Sequence, residues 1–125
     1  MKIERFEDID AWQDARALTK GVYDAVQQNQ DFVKDWGLKD QITRASGSIM
    51  HNIAEGFDGG STKEFIRFLG YSQRSCSEVQ SELYVALDQK YITQQQFDAL
   101  YGQAKVCKSK VGGFIRYLKE YDASK

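Results

Sequence analysis

Residues 61–87 read STKEFIRFLGYSQRSCSEVQSELYVAL and carry the pattern that decides the fold. Apolar or small side chains recur here every three or four residues, the spacing that lines one face of an α-helix. This stripe consists of Phe65, Phe68, Leu69, Ser72, Cys76, Val79, Leu83 and Leu87. Ser61 and Glu64 occupy the two positions of a capping box, which fixes where a helix begins. The stretch therefore predicts one long helix with a continuous buried face.

A second long helix is predicted after the turn at residues 90–92, with Thr93 and Gln96 as its capping box. Its stripe consists of Phe97, Leu100, Ala104, Cys107, Val111, Phe114, Ile115 and Leu118. When the two helices are paired antiparallel, one register matches six pairs of stripe residues. These pairs are Phe65–Leu118, Leu69–Phe114, Ser72–Val111, Cys76–Cys107, Val79–Ala104 and Leu83–Leu100. A tight helical hairpin is therefore predicted.

Two further helices are predicted before this hairpin. The first runs from about Asp8 to Gln27, and Asp8 or Asp10 can cap it. Its apolar residues spread over about 160°, wider than a single core stripe, so it is expected to contact two neighbours. Residues 32–37 are predicted to connect it to the next helix, with Phe32 and Trp36 pinned to the end of the bundle.

The remaining helix is predicted from about Leu38 to Glu55, and Gly56 with the run at residues 58–61 ends it. Its core stripe consists of Leu38, Ile42, Ala45, Ile49, Ile53 and Gly56. Gly47, in the middle of this helix, is predicted to mark a close approach by another backbone.

The four helices predict an all-α protein, an antiparallel up-and-down four-helix bundle that forms one domain over residues 1–125. The chain contains no proline, so nothing obliges a helix to break. Its longest apolar runs are far shorter than the roughly 20 residues that span a bilayer, and its start does not resemble a signal peptide. We therefore expect a cytoplasmic protein without a membrane partner.

No catalytic or metal site is predicted, and no cofactor. His51 and Glu55 lie one helical turn apart, but the sequence has no Glu-x-x-His unit of the kind that di-iron bundles use. Glu78 and Glu82 are expected to form a solvated face with Arg74. One enzymatic hypothesis stays open, a site between protomers built from His51, Glu55 and Glu78.

Cys76 and Cys107 fall in one predicted layer, and a disulfide between them is one interpretation. Packed helix axes lie about 8–10 Å apart, whereas a disulfide needs Cα atoms within about 7 Å. Two buried thiols are the preferred interpretation, because the expected compartment is reducing.

Four cations of the last helix lie within an arc of about 80°, with Gly112 in its middle. They are Lys105, Lys108, Arg116 and Lys119, and we call them the basic strip. The strip is interpreted either as a phosphate-binding surface or as an ordinary solvated helix face. The net charge of the chain is −1, so overall charge does not decide between them.

A second stripe on the helix of residues 61–87 is small and weakly polar, which suits contact with another chain. It consists of Ile66, Gly70, Gln73, Ser77 and Tyr84.

Residues 41–56, QITRASGSIMHNIAEG, and residues 64–69, EFIRFL, resemble the four-helix bundle family encoded in intervening sequences of bacterial 23S rRNA genes. Ser75, Glu78 and Leu83 fit the same pattern, as does the opening from Phe6 to Trp12. The residues that match the motif are Arg44, Ser48, Asn52, Glu55, Gly56 and Arg67. We expect them to have structural or interface roles.

The resemblance implies a bundle that assembles as a ring, typically a homopentamer, without enzymatic activity. A related branch, the accessory protein of diversity-generating retroelements, binds a reverse transcriptase and nucleic acid. That branch is strongly basic, unlike this chain. The resemblance thus favours a homo-oligomeric scaffold or adaptor. The alternative is an accessory protein that binds RNA, DNA or a nucleic-acid enzyme through the basic strip.

Overall fold

The computed structural model describes residues 2–124 and contains helices and turns, with no strand in that range. A 3-10 turn at Phe6–Asp8 precedes five α-helices. These are α1 (Asp10–Gln27), α2 (Gln30–Lys34), α3 (Trp36–Asp58), α4 (Thr62–Asp88) and α5 (Gln94–Ala123). The predicted all-α class is therefore confirmed, and one short helix is added to the four expected.

The predicted caps of α4 and α5 are present. Thr93 and Gln96 form the complete capping box of α5, with hydrogen bonds of 2.8 and 3.0 Å. At α4 the Ser61 hydroxyl accepts from the backbone N–H of Glu64 at 3.1 Å. The Glu64 carboxylate binds Arg67 instead of the backbone of Ser61, so only half of that predicted box forms.

The predicted cap of α1 is wrong. Ile9 occupies the capping position, and its side chain accepts no hydrogen bond. The carboxylate of Asp8 faces backwards and accepts from the backbone N–H groups of Glu4 and Arg5, at 3.1 and 3.3 Å. These bonds hold the pKa of Asp8 below its usual value. Asp8 therefore closes the 3-10 turn rather than starting the helix.

Residues 30–34 form α2 where a connection was predicted, and α3 starts earlier than expected. Asn29 caps α2 through the N–H of Phe32 at 2.9 Å, and Asp35 caps α3 through that of Leu38 at 3.1 Å. Phe32 is buried, as predicted, and stacks on Tyr91 with ring centroids 5.1 Å apart.

Trp36 is not pinned to the end of the bundle, contrary to prediction, and 75% of its surface is exposed. It belongs to the first turn of α3, two residues before the buried Leu38. Two residues correspond to about 200° around a helix, so burial of Leu38 directs Trp36 to the opposite side.

Each long helix packs against two others. α1 contacts α3 and α5, and α4 contacts α3 and α5 as well. The prediction that α1 touches two neighbours is thus confirmed. α4 and α5 run in opposite directions, because Phe65 meets Phe114 near one end and Tyr84 meets Phe97 near the other. One continuous core extends along all four helices.

Cys76 and Cys107 meet in the layer that the sequence predicts. Both are fully buried free thiols. The interaction between the two thiols lowers the pKa of Cys76 and raises that of Cys107. The Cys107 thiol also contacts the backbone oxygen of Ala11 at 3.6 Å, which ties this layer to α1.

The close approach of backbones occurs at Gly56 rather than at Gly47. A Cβ atom on Gly56 would lie 2.7 Å from the Cβ of Phe68 and 3.0 Å from the ring of Phe65. At Gly47 the nearest atom outside the helix backbone is 3.6 Å away, in the flexible side chain of His51. The end of α3 therefore touches α4 at a position where a larger residue does not fit.

No helix within residues 2–124 is long and apolar enough to cross a membrane.

We expect the substitution Gly56→Ala to lower the free energy of unfolding by about 1–3 kcal/mol, because the new methyl group would overlap Phe68. Gly102→Ala is the matched control, since no atom lies within 4 Å of its added Cβ. This control should raise stability by up to about 1 kcal/mol, because alanine favours a helix interior. Urea unfolding followed by circular dichroism measures both, and a neutral or stabilising Gly56→Ala would contradict the packing.

Candidate functional site

Hydroxyl and amide groups line the contact between α3 and α4. Ser72 donates to the backbone oxygen of Ile49 at 2.8 Å, and Ser75 donates to the hydroxyl of Ser48 at 3.1 Å. Asn52 donates to both the hydroxyl and the backbone oxygen of Ser48, at 2.9 Å each. We call this set, together with Gly56, the α3–α4 seam. Small side chains let the helices approach, and their hydrogen bonds specify one register.

The six motif residues divide into two groups. Ser48, Asn52 and Gly56 lie in the α3–α4 seam. Arg44, Glu55 and Arg67 are exposed on the surface. The motif therefore combines a packing element with surface charges, and the structure does not bring all six residues together.

Arg67 has the best-defined surroundings of the three exposed motif residues. Its guanidinium group contacts the Glu64 carboxylate at 2.6 Å and the Tyr71 hydroxyl at 3.0 Å, and it lies 5.1 Å from the ring centroid of Phe68. The hydrogen bond to Glu64 raises the pKa of Arg67 and lowers that of Glu64. Arg67 is thus held rigidly on the surface, as a fixed positive charge.

A polar groove of about 510 Å³ runs beside the α3–α4 seam. It is lined by Asp40, Gln41, Arg44, Ala45, Ser48, Ser75, Glu78 and Glu82. Arg44 contacts Asp40 at 3.4 Å, and both side chains are largely exposed. Three of the eight lining residues carry carboxylates, and Arg44 is the one cation among them.

Glu82 departs from the solvated face predicted for it. Its Oε1 atom is buried and has no hydrogen-bond partner among residues 2–124. Burial raises the pKa of Glu82 to about 7, and the negative charge of Glu78 acts in the same direction. Within the described range Arg74 forms no ion pair with Glu78, although the two lie one turn apart. The expected ion-pair face is thus absent from residues 2–124.

The residues of the enzymatic hypothesis do not converge within one chain. His51, Glu55 and Glu78 are all exposed, and the polar groove includes Glu78 but neither of the other two. Over residues 2–124 no group of three or more His, Cys, Asp or Glu side chains is placed to hold a metal ion. The described residues therefore form no cleft in which these three groups could cooperate.

The basic strip has unpaired charges along its length. Lys105, Arg116 and Lys119 are exposed and Lys108 is half-buried. None of the four forms an ion pair with any residue in the described part of the chain. On the opposite side of α5, by contrast, Lys110 contacts Asp14 at 2.7 Å. Charges that are not neutralised within the protein remain available to an anionic partner.

Part of the second stripe of α4 packs against α5 instead of facing outwards. Gln73 donates to the backbone oxygen of Lys108 at 3.4 Å, and its amide would lie 2.8 Å from a Cβ atom on Gly112. Tyr84 packs on Phe97 and on Tyr101, with ring centroids 4.9 and 5.7 Å apart. This stripe, predicted to meet another chain, is thus at least partly used within the protomer.

Sequence reasoning missed an apolar surface at the junction of α1, α2 and α3. Tyr23, Val33 and Trp36 are 47%, 37% and 75% exposed, and they border a groove of about 410 Å³. We call these three residues the Trp36 patch. The sequence did contain a signal for this arrangement, because Asn29 and Asp35 are both good helix-capping residues. Helices that begin after them place Trp36 in the first turn of α3, where it faces outwards.

Comparisons with known proteins agree with the fold. The sequence pattern of the family described as 23S rRNA-intervening sequence protein matches residues 7–113. The crystal structure of a protein of unknown function from the S23 ribosomal protein family of Bacteroides thetaiotaomicron superimposes with a TM-score of 0.76 at 20% sequence identity. The match covers 84% of this chain and 97% of that one. No curated protein matches the sequence.

The raised pKa of Glu82 predicts a pH-dependent stability. Its carboxyl group holds a proton in the folded state up to about pH 7, whereas the unfolded chain loses it near 4.5. The stability contributed by this group is therefore complete below pH 4.5 and is lost as the pH rises to 7. We expect Glu82→Gln to raise the free energy of unfolding at pH 8 by about 1 kcal/mol, a value reduced for partial solvent screening.

Urea unfolding at pH 4, 6 and 8 measures this effect, and little gain is expected at pH 4. Glu120→Gln, which changes an exposed carboxylate at the end of α5, is the control and should show no such trend. If the stability of the Glu82→Gln variant depended on pH as that of the original protein does, the Glu82 carboxylate would be fully solvated.

Proposed function

This chain belongs to the family of 23S rRNA-intervening sequence proteins, and we propose that it is a non-enzymatic scaffold that assembles into a homo-oligomer. The observation that carries this proposal is the Trp36 patch, where an exposed tryptophan stands beside a groove between helices. Tryptophan and tyrosine are over-represented among the residues that dominate binding at protein interfaces.

We propose that the protomer is an antiparallel up-and-down four-helix bundle made of α1, α3, α4 and α5. Its support is that each of these helices packs against two of the others and that α4 and α5 run in opposite directions. The short helix α2 then closes one end of the bundle through the contact of Phe32 with Tyr91.

A second copy of the chain is the proposed occupant of the Trp36 patch. A stable interface takes about 800 Å² from each partner, roughly a tenth of the 7534 Å² that one chain exposes. The Trp36 patch supplies the apolar centre of such an area. With a net charge of −1, the chain has little overall repulsion to overcome when copies meet.

The oligomer is proposed to be a closed ring of five chains. Repeating one contact between two different surfaces closes a ring when the rotation per subunit fits. In that arrangement the Trp36 patch of one chain meets a different surface on the next. The assembly is proposed to work in the cytoplasm, where reducing conditions keep thiols such as Cys76 and Cys107 free.

A non-enzymatic role is supported by the distribution of the reactive side chains. His51, Glu55 and Glu78 are exposed and do not share a groove. The polar groove beside the α3–α4 seam contains carboxylates, but without an accompanying histidine, cysteine or lysine. General acid–base or nucleophilic chemistry needs such groups within hydrogen-bond reach of each other.

We expect the native particle to have about five times the 14.3 kDa mass of one chain. Trp36→Glu should reduce that mass to a single chain without loss of helix, because a charge would enter the apolar contact. Trp36→Phe should keep the assembly, since it preserves an apolar ring. Light scattering measures the mass, and circular dichroism controls for folding.

If the native particle were a monomer, the scaffold proposal would be wrong. If the original protein were an oligomer and Trp36→Glu left it intact, the chains would meet through another surface.

The second candidate function is an accessory protein that binds nucleic acid, or an enzyme acting on nucleic acid, through the basic strip. The observation that favours it is that all four cations lack an acidic partner within residues 2–124, whereas Lys110 and Lys20 pair with Asp14 and Asp24. Assembly would repeat the strip around the ring and strengthen its field.

We expect measurable binding of RNA or DNA at low salt, weakening as salt rises because condensed counterions are released from the phosphates. Changing all four residues of the basic strip to glutamate should abolish this binding. The matched control changes Lys20, Lys34, Lys63 and Lys90 to glutamate, which shifts the net charge equally at exposed positions outside the strip. Fluorescence anisotropy measures the affinity of both variants. If both lost affinity equally, the binding would be due to overall charge and not to the basic strip.

A further inference from the structure

We propose that the face of α5 carrying the basic strip binds single-stranded nucleic acid, with a base stacked on Tyr84 at one end. This proposal rests on the nucleic-acid-binding candidate above, and it adds which form of nucleic acid is bound and which residue holds a base. The juxtaposition that carries it is a half-exposed tyrosine placed in line with a row of unpaired cations.

The alignment follows from helix geometry. Tyr101 and the four residues of the basic strip fall within about 80° of each other around α5, at 100° per residue. Residues 101–119 span about 27 Å along the axis. The strip is therefore a straight row, or track, with Tyr101 at the end where α5 begins. A carboxylate in the same arc, Asp98, lies in the turn before Tyr101 and accepts a hydrogen bond from Gln94 at 2.9 Å.

An exposed aromatic surface stands at that end of the track. Tyr84 on α4 packs against Tyr101 with ring centroids 5.7 Å apart, and half of its surface remains exposed. Tyr101 in turn stacks on the buried Phe97 at 5.2 Å. The Tyr84 ring is thus supported from within the protein and open on its outer side, a geometry that allows a base to stack on it.

Beside the middle of the track, α4 presents uncharged side chains. Gln73 and Ser77 lie there, joined by a hydrogen bond from the Ser77 hydroxyl to the backbone oxygen of Gln73 at 3.4 Å. Gln73 also closes over Gly112 in the middle of the strip. A polyanion bound along α5 can therefore contact uncharged, hydrogen-bonding side chains of α4 at this point.

A single strand fits this surface better than a duplex does. Proteins that bind single strands combine a positive track for the phosphates with aromatic rings on which bases stack. In a duplex the bases are already stacked on each other, so Tyr84 would have no free base to meet. Neither tyrosine rings nor lysine side chains distinguish ribose from deoxyribose, so RNA and DNA strands should bind about equally.

The test compares a labelled single strand of about 12 nucleotides, as RNA and as DNA, with the duplex of the same sequence. Fluorescence anisotropy at low salt gives the affinities of the full-length protein. We expect the single strands to bind more tightly than the duplex. Tyr84→Leu, which keeps an apolar side chain but removes the ring, should weaken single-strand binding about tenfold, the typical effect of losing one stacked base.

Two variants control for folding and position. Tyr84→Phe keeps the ring and should bind as the original protein does. Tyr117→Leu removes a tyrosine that is 60% exposed on α5 but turned away from the track, and it should have no effect. Circular dichroism establishes that each variant is folded.

Equal affinity for duplex and single strand, or unchanged binding by Tyr84→Leu, would overturn this inference. Loss of binding on charge reversal of the basic strip would in that case leave the broader nucleic-acid candidate standing. No binding of any nucleic acid at low salt would end both.

Discussion

The structure depends on the close contact of α3 with α4. Gly56 touches Phe65 and Phe68 at distances that leave no room for a side chain, and Ser48, Asn52, Ser72 and Ser75 hydrogen-bond along the same contact. Small polar residues satisfy two demands at once, because they let two backbones approach and still pair the polar groups that become buried. The other helices are arranged around this pair. α5 packs on α4 through the paired layers, and α1 closes the core between α3 and α5.

Because the polar groups inside the bundle are used for packing, the side chains available to bind a partner lie on its surface. The buried polar residues are serines engaged in hydrogen bonds, and the two cysteines contact each other, so no reactive group faces an enclosed cavity within residues 2–124. Three features at or just below the surface differ from ordinary solvated side chains. These are the Trp36 patch, the unpaired basic strip, and Glu82 with its raised pKa beside Glu78. The first suits contact with another copy of the chain, and the second suits a polyanion.

Predictions from the sequence succeeded where one helix or one pair of helices decides the outcome. The periodicity of residues 61–87 and 97–118 predicted the α4–α5 contact, including the meeting of Cys76 with Cys107. The caps at Ser61 and Thr93 follow from local hydrogen bonds and were likewise predictable. Errors arose where two nearby groups compete for one carboxylate, or where packing of the core sets the rotation of a helix. Asp8 binds the backbone before it rather than capping α1, and Glu64 pairs with Arg67. Trp36 faces outwards because burial of Leu38 fixes the rotation of α3.

By itself the sequence determined the four long helices, their buried faces and the resemblance to a family, because side-chain periodicity and helix caps act over a few residues along one chain. Only the tertiary structure decided which polar residues contact a neighbouring helix and which remain exposed to solvent. It showed Gln73 turned towards α5, Gly56 rather than Gly47 at the point of closest approach, and Tyr84 in line with the basic strip. Such relations depend on how one helix is rotated against another. That rotation is set by the packing of the whole core, to which every helix contributes.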